Sequence, residues 1–199
     1  TYFHVATCHG FAIACHAIGD EANTIVLNAA ASTHAHGSIE HAQMLKPADI
    51  PRFAKLGLTA SIQPQHAMDD RDVITRFWAN PGGTPYSFKA LHDAGVRLRM
   101  GSDAPVAPLD PWMAISAAVF GTESSDREPF QPEQCLDART ALAASTAVGR
   151  DRPEPGDPAD LALLDRDPYA VSTPEEMRAM PVAATMLAGR WTYSSLHGE

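Results

Sequence analysis

Three short segments of the chain place a histidine or an aspartate where an apolar run ends and a helix is predicted to begin. They are residues 16–20 (HAIGD), 39–43 (IEHAQ) and 101–105 (GSDAP). Zinc and similar divalent metals bind imidazole nitrogens and carboxylate oxygens. In a parallel β/α barrel, the carboxyl ends of the strands form the catalytic face. Two histidines and one aspartate in these positions predict the site of a metal-dependent hydrolase.

His16, His41 and Asp103 are the predicted metal ligands. Asp103 is also the predicted catalytic residue, because a carboxylate that ligates a metal can take the proton from a metal-bound water. Each residue has an ordinary structural alternative. Either histidine could be a core side chain with satisfied hydrogen bonds. Asp103 could form a turn or a helix cap, since Ser-Asp before proline is common in turns.

Five further residues are candidates for supporting roles. Glu40 could orient a neighbouring imidazole, or it could be an exposed charge. Asp20 is interpreted as a cap of the helix that follows, with a role behind the metal ligands as the alternative. His66 could hydrogen-bond a substrate carbonyl or a developing oxyanion. Asp70 and Trp78 are predicted to line the substrate pocket.

We interpret the other histidines and the cysteines as structural residues. His34 and His36 form an HxH pattern, but they follow a predicted helix and precede a predicted strand. That order places them on the face of a barrel opposite to the catalytic one. Cys8, Cys15 and Cys135 are odd in number and lack CxxC spacing. They predict no disulfide framework and a reducing compartment, so we expect a cytoplasmic protein.

Length and composition set further bounds. The chain has 199 residues, enough for one domain with a sizeable core, whereas a complete (β/α)8 barrel usually needs about 250. The formal net charge of −9 and the absence of a Lys/Arg cluster argue against a nucleic-acid partner. No apolar run approaches the length of a membrane span. The first residue, Thr1, is not an initiator methionine, which indicates a processed, excised or otherwise incomplete N-terminus.

The elements that must position these residues alternate between strands and helices, which predicts an α/β fold with a parallel sheet. A long connection over residues 64–85 is predicted to be functional. After residue 149 the pattern changes, so we predict a partial β/α barrel over 1–149 and a β appendage over 150–199. The predicted strands are 10–16, 37–41, 58–63, 96–101, 160–164, 182–187 and 191–193, and the predicted helices are 21–31, 47–56, 86–94, 111–120 and 136–148.

Together these motifs resemble the amidohydrolase superfamily, within the branch that is similar to N-substituted formamide deformylases. The resemblance covers residues 10–193. The residues that carry it are 16–20 (HAIGD), 39–43 (IEHAQ), Gln63-Pro64 with His66, 101–106 (GSDAPV), 129–133 (PFQPE) and 155–161 (PGDPADL).

The resemblance implies a TIM-like barrel that carries a small β-sandwich built from both chain ends. His16, His41 and Asp103 would end the fifth, sixth and eighth strands as metal ligands, and His66 would follow the seventh as a substrate contact. A metal-activated hydroxide would attack an amide-type carbonyl, with Asp103 shuttling the proton to the leaving nitrogen.

The chain departs from this family because everything before the fifth strand is missing. The family has an HxH pair on its first strand and a bridging, often carboxylated, lysine on its fourth. We therefore expect the C-terminal half of a barrel. The expected cofactor is a divalent metal, zinc by preference. The complete protein would bind one or two ions, whereas this chain alone would bind the metal weakly or not at all. The expected partners are a small-molecule substrate and either the missing N-terminal half or a second copy of the chain.

Three functions remain open at this point. The first is a metal-dependent amidohydrolase that cleaves the non-peptide C–N bond of a small amide or N-substituted formamide. The second is a non-catalytic, truncated half-barrel that dimerises. The third is a metal-dependent deaminase, because the shared centre only activates water and the motifs do not specify the substrate.

Overall fold

The structure is a computed structural model that describes residues 2–78 and 82–196. Its helices are α1 (Tyr2–Cys8), α2 (Asp20–Thr33), α3 (Ile50–Leu56), α4 (Pro64–Phe77), α5 (Phe88–Asp93), α6 (Pro111–Phe120), α7 (Ala138–Ser145) and α8 (Pro174–Arg178), with a 3-10 turn at Pro132–Gln134. Its strands are β1 (Ile13–Ala17), β2 (Gly37–His41), β3 (Met44–Leu45), β4 (Thr59–Ile62), β5 (Thr84–Pro85), β6 (Leu98–Met100), β7 (Leu161–Leu164), β8 (Val182–Leu187) and β9 (Arg190–Ser194).

The predicted parallel sheet is confirmed. Within the described residues it has the order β1-β2-β4-β6, and each neighbouring pair is parallel. The helices α2, α3 and α5 lie along the chain between these strands, as the alternating pattern predicted. The predicted strands and helices are present, with ends that differ by no more than three residues. The α/β class is therefore confirmed.

The two faces of this sheet differ in chemistry. One face is apolar and joins the helices in a single core that includes Leu27, Phe53 and Leu91, all of them fully buried. The opposite face is polar and partly or fully exposed, because every second residue of the strands is hydrophilic. Its members are His16, Ser38, Glu40, Thr59, Ser61 and Arg99, which follow one another in the strand register.

Glycine is required at the start of β2. Gly37 has φ 139°, and a Cβ there would overlap the backbone of Ile13 in β1. The close approach lets β1 and β2 pair from their first residues, Ile13 with Gly37. This pairing fixes the register that places His16 beside Glu40 and Ala17 beside His41.

The connection predicted over residues 64–85 is instead largely the helix α4. Pro64 begins it at a position where a helix needs no backbone donor. The buried residues Ala67, Met68 and Ile74 form its apolar face, but the intervening run DDRD conceals that periodicity in the sequence. Trp78 follows the last turn of α4.

The C-terminal segment forms an antiparallel sheet in the order β7-β8-β9. Ala188 and Gly189, with φ 49° and 76°, form the tight turn between β8 and β9. Helix α8 joins the segment to α6, where the Ser116 hydroxyl donates to the carbonyl of Pro174 at 3.1 Å. The division at residue 149 and the second layer of a β-sandwich remain predictions.

Two simpler expectations concern cysteines and membranes. Cys8, Cys15 and Cys135 are free thiols, as their number and spacing predicted. Among the described residues, no helix combines the length and the apolar character needed to cross a bilayer.

Candidate metal centre

Three of the predicted residues converge at the carboxyl edge of the parallel sheet. His41 is the last residue of β2, His66 lies in the first turn of α4, and Asp103 follows β6. One possible ligand atom from each lies within 4.8 Å of the others. The Nε2 atom of His66 is 4.0 Å from Oδ2 of Asp103. Parallel strands that end at one edge thus assemble residues separated by up to 62 positions in sequence.

His16 adjoins this cluster through its ring. Its imidazole meets that of His41 edge-on, with 4.5 Å between ring centroids. The rings of His41 and His66 are nearly parallel, with 5.9 Å between centroids. The group of possible ligand atoms found in the described residues therefore consists of His41, His66 and Asp103. It includes His66, which was predicted as a substrate contact, whereas His16 lies outside it and contacts His41. The assignment of His16, His41 and Asp103 as the ligand set stays a prediction.

The backbone at this edge is unusual. His41, Ala42 and Asp103 have φ values of 72°, 44° and 56°. Such left-handed conformations cost non-glycine residues free energy, and they cluster at functional sites where the surrounding fold holds them. Here they turn the chain sharply where β2 ends and in the loop that carries the predicted catalytic aspartate.

Two nitrogen atoms of the cluster have no hydrogen-bond partner in the described structure. Nδ1 of His41 and Nε2 of His66 are buried without one. Buried polar atoms normally have a partner, so each unpartnered atom requires an explanation. Beside these two atoms, the imidazoles of His16 and His41 and the Asp103 carboxylate provide a donor set that suits zinc and related divalent metals. The residues present therefore fit a divalent metal.

The electrostatic environment favours the neutral form of His41. Burial lowers the pKa of His41, and the neighbouring His16 and His66 lower it further. The Asp103 carboxylate and the Gln63 side chain oppose this change, because each favours the charged imidazole. A neutral imidazole keeps the lone pair that a metal ligand needs.

Glu40 and Asp20, the two candidates for a role behind the metal ligands, lie in different settings. Glu40 accepts a hydrogen bond from the Ser38 hydroxyl and is the register partner of His16 on the polar face. Asp20 does not cap α2. It is the first helical residue, Gly19 occupies the cap position, and no side-chain cap hydrogen bond forms. The carboxylate of Asp20 instead lies so close to Gly82 that a Cβ there would collide with it.

Asp70 and Trp78, the predicted pocket residues, also differ in setting. Oδ2 of Asp70 accepts hydrogen bonds from Gln43 Nε2 at 2.8 Å and from the Tyr86 hydroxyl at 2.7 Å. Asp70 thereby ties α4 to the segment after β2 and to the turn after β5. The side chain of Trp78 is 39% exposed. Their roles toward a substrate stay predictions.

The sequence interpretation missed Tyr86 and gave Gln43 and Gln63 no separate role. Gln43 closes the IEHAQ segment and Gln63 directly follows β4, so both belonged to motifs that had been noticed. Tyr86 carried no local pattern, because its partner Asp70 is 16 positions away. The HxH pair lies at the opposite edge of the sheet, as predicted. His34 is the cap residue after α2, and the carbonyl of His36 accepts a hydrogen bond from the backbone N–H of Ile13 at the start of β1.

A parallel α/β sheet with histidine and aspartate side chains at its carboxyl edge is the arrangement used by metal-dependent hydrolases of the β/α-barrel type. Comparison with known proteins agrees with this class. A model of the family described as "Amidohydrolase family" matches residues 1–193. The chain therefore belongs to the amidohydrolase family.

Individual relatives are similar over most of the chain. The putative amidohydrolase YtcJ of Bacillus subtilis (strain 168) is 29% identical over 92% of this chain and 38% of its own length. The N-substituted formamide deformylase of Arthrobacter pascens is 28% identical over 92% and 37%, respectively. A crystal structure of an uncharacterized metal-dependent hydrolase from Pyrococcus horikoshii matches 83% of this chain and 36% of its own, with 28% identity and a TM-score of 0.68. The chain thus spans less than two fifths of the length of these relatives.

Proposed function

We propose that this chain carries part of the active site of a metal-dependent amidohydrolase that cleaves a non-peptide C–N bond in a small amide or N-substituted formamide. The observation that carries the proposal is the convergence of His41, His66 and Asp103 within 4.8 Å, with His16 in contact. The substrate class is supported by the similarity to the formamide deformylase.

His16, His41 and Asp103 are the proposed metal ligands. Zinc is the proposed metal, because two imidazoles and one carboxylate match its common ligands. When bound, the metal would supply an activated water and polarise the substrate carbonyl.

Asp103 and His66 divide the remaining chemistry. The side chain of Asp103 is 43% exposed and faces the buried Nε2 of His66 across 4.0 Å. The carboxylate of Asp103 takes the proton of the attacking water at Oδ2 and passes it to the leaving nitrogen. His66 donates from Nε2 to the carbonyl oxygen as negative charge develops there.

The proposed architecture is the C-terminal half of a (β/α)8 barrel, with β1, β2, β4 and β6 as its fifth to eighth strands. Parallel sheets are normally covered on both faces, whereas the face that carries His16, Glu40 and Arg99 is polar and accessible here. The remaining length of the relatives is sufficient for the other strands. A β-sandwich completed by a further sheet against β7, β8 and β9 belongs to the same proposal.

Metal analysis of the purified chain tests this proposal. We expect up to one zinc per chain, bound more weakly than in a complete metal hydrolase, and loss of that zinc in His41→Gln. The matched control is His36→Gln, which removes a histidine at the opposite edge of the sheet and should leave zinc binding unchanged. Equal zinc binding by both variants would overturn the proposal.

Product analysis tests the substrate class. A longer protein that contains this chain and the missing strands should release formate and amine from an N-substituted formamide. The Asp103→Asn variant should lower kcat by about 100-fold or more, as expected for loss of a proton-transfer group. Release of ammonia from an amino-substituted ring would instead identify a deaminase.

A further inference from the structure

Gln63 occupies a position next to the candidate metal centre that the catalytic proposal leaves without a role. It directly follows β4, whose neighbour in the sheet is β2, the strand that ends at His41. The side chain is only 7% exposed. Its Nε2 donates to the carbonyl of Ser61 at 3.3 Å, so the amide orientation is set. Its Oε1 is buried and lacks a conventional hydrogen bond in the described structure.

The complementary atom lies on His41. Its Nδ1 is buried and also lacks a conventional partner among the described residues. Glu40 of β2 pairs with Ser61 of β4, so His41 and Gln63 follow that pair by one and two residues at the same edge of the sheet. The Gln63 side chain also raises the pKa of His41 by favouring its charged form. An amide oxygen can only accept, and a neutral imidazole donates from one nitrogen while the other keeps a lone pair. A hydrogen bond between Oε1 of Gln63 and Nδ1 of His41 would satisfy both buried atoms at once.

The other buried glutamines do not share this property. Gln43 and Gln65 are each 4% exposed. Gln43 donates to Asp70, whereas Gln65 donates to Glu123 and accepts from Arg178 at 3.4 Å. Of the three, Gln63 is the one whose amide oxygen is buried and unpartnered in the described part of the chain. This restricts the inference to Gln63.

We propose that Gln63 is a positioning residue whose Oε1 accepts a hydrogen bond from Nδ1–H of His41 and thereby fixes the ring tautomer. With the proton on Nδ1, the lone pair is on Nε2, where it is available to a metal. Partners of this kind orient ligating histidines and set their tautomer in metal sites. The tautomer itself depends only on these two side chains, whereas its use by a metal rests on the proposed function.

Nitrogen NMR of the metal-free chain tests the tautomer directly. In a sample with 15N-labelled histidine and a chelator, we expect His41 to carry its proton on Nδ1, with an excess on the order of tenfold over the Nε2–H form. His41→Gln assigns the resonances by their disappearance. A proton on Nε2 in the unmodified chain would overturn the proposal without any further variant.

Two substitutions separate positioning from general stability. Gln63→Leu should abolish the Nδ1–H preference, whereas Gln63→Glu retains an acceptor and should restore it. Gln65→Leu is the matched control, since it removes an equally buried amide and should leave the His41 tautomer unchanged. An unaltered tautomer in folded Gln63→Leu contradicts the proposal. If that variant does not fold, loss of the preference in Gln63→Glu also contradicts it.

Zinc affinity extends the test to the metal site. Competition with a chromophoric chelator should show about 10- to 100-fold weaker binding by Gln63→Leu than by Gln65→Leu. If a longer protein that contains this chain and the missing strands binds no zinc, the catalytic proposal fails while the tautomer result still stands or falls by itself. Equal zinc affinity in the two leucine variants would remove the metal role from Gln63.

Discussion

At the scale of single residues, Asp70 shows how a polar group can tie together segments that are distant in sequence. One of its carboxylate oxygens accepts hydrogen bonds from Gln43 and from the Tyr86 hydroxyl. Tyr86 is 3% exposed, and burial together with the nearby Asp70 raises its pKa. The phenol therefore stays protonated and continues to donate at neutral pH.

We predict that Tyr86→Phe lowers the free energy of unfolding by about 1–3 kcal/mol, because a half-buried carboxylate loses a donor. Urea unfolding followed by circular dichroism measures the change. Tyr169→Phe is the control, since Tyr169 is 38% exposed and donates to the surface residue Asp151. We expect that variant to stay within about 0.5 kcal/mol of the unmodified chain. If both variants lose the same free energy of unfolding, the hydrogen bond from Tyr86 to Asp70 contributes no more to stability than a surface hydrogen bond.

Residue types and motif spacing predicted the members of the candidate site, but not their contacts. His16, His41 and Asp103 were recognisable because each lies at or just after the end of a predicted strand. The proximity of His66 to Asp103 could not be predicted from the sequence, because it depends on α4 beginning immediately after β4 and on the left-handed backbone at Asp103. The partnership of Asp70 with Tyr86 likewise exists only after the chain has folded back across 16 positions.

At the scale of elements, Asp49 joins α2 to α3 behind the sheet. Its carboxylate is buried, accepts from the Thr24 hydroxyl of α2, and accepts from Arg52 of α3 at 2.7 Å. Burial raises the pKa of Asp49, but the hydrogen bonds and the Arg52 charge outweigh it, so the pKa is lowered overall. A lowered pKa in the folded state means that the ionised carboxylate stabilises the fold.

We therefore predict that Asp49→Asn destabilises the chain by roughly 1–3 kcal/mol at pH 7, as expected for loss of a hydrogen-bonded charge. The contribution is complete above the unfolded-state pKa of about 4 and is lost as the pH falls through the folded-state value. The difference between the two proteins should thus shrink below about pH 4. Urea denaturation at a series of pH values measures it. A difference that persists unchanged at low pH would contradict this ionic role.

Whether a segment forms a strand or a helix was predictable where one hydrophobic pattern dominated that segment. The strands β1, β2, β4 and β6 turn apolar residues to the core at alternate positions, and α6 begins at Pro111 and ends before Gly121. Helix α4 was taken for a connection because Asp69, Asp70, Arg71 and Asp72 interrupt its apolar face. Its stability comes from tertiary contacts, including the Asp70 hydrogen bonds, which local propensity does not record.

At the scale of the whole molecule, the sheet places its candidate site at an edge that is only partly enclosed. Within the described residues, β2 and β4 each have two neighbouring strands, whereas β1 and β6 each have one. A strand at the edge of a sheet presents unpaired backbone groups that can bond to water or to another chain. The polar face and the two free edges are thus the surfaces that any further part of the protein, or a second copy, would cover.

We predict that this asymmetry is visible in amide hydrogen exchange. Every second amide of β1 and β6 faces away from its neighbouring strand, so its exchange requires less opening than exchange in the central strands. Peptides that contain β1 or β6 should exchange at least about tenfold faster than those that contain β2 or β4. The measurement is mass spectrometry after timed deuteration. It is repeated at two protein concentrations, because a second copy seated on the edges would protect β1 and β6 more strongly at the higher one. Equal protection of all four strands at both concentrations would show that the free edges are already covered within the chain, and would refute the half-enclosed sheet.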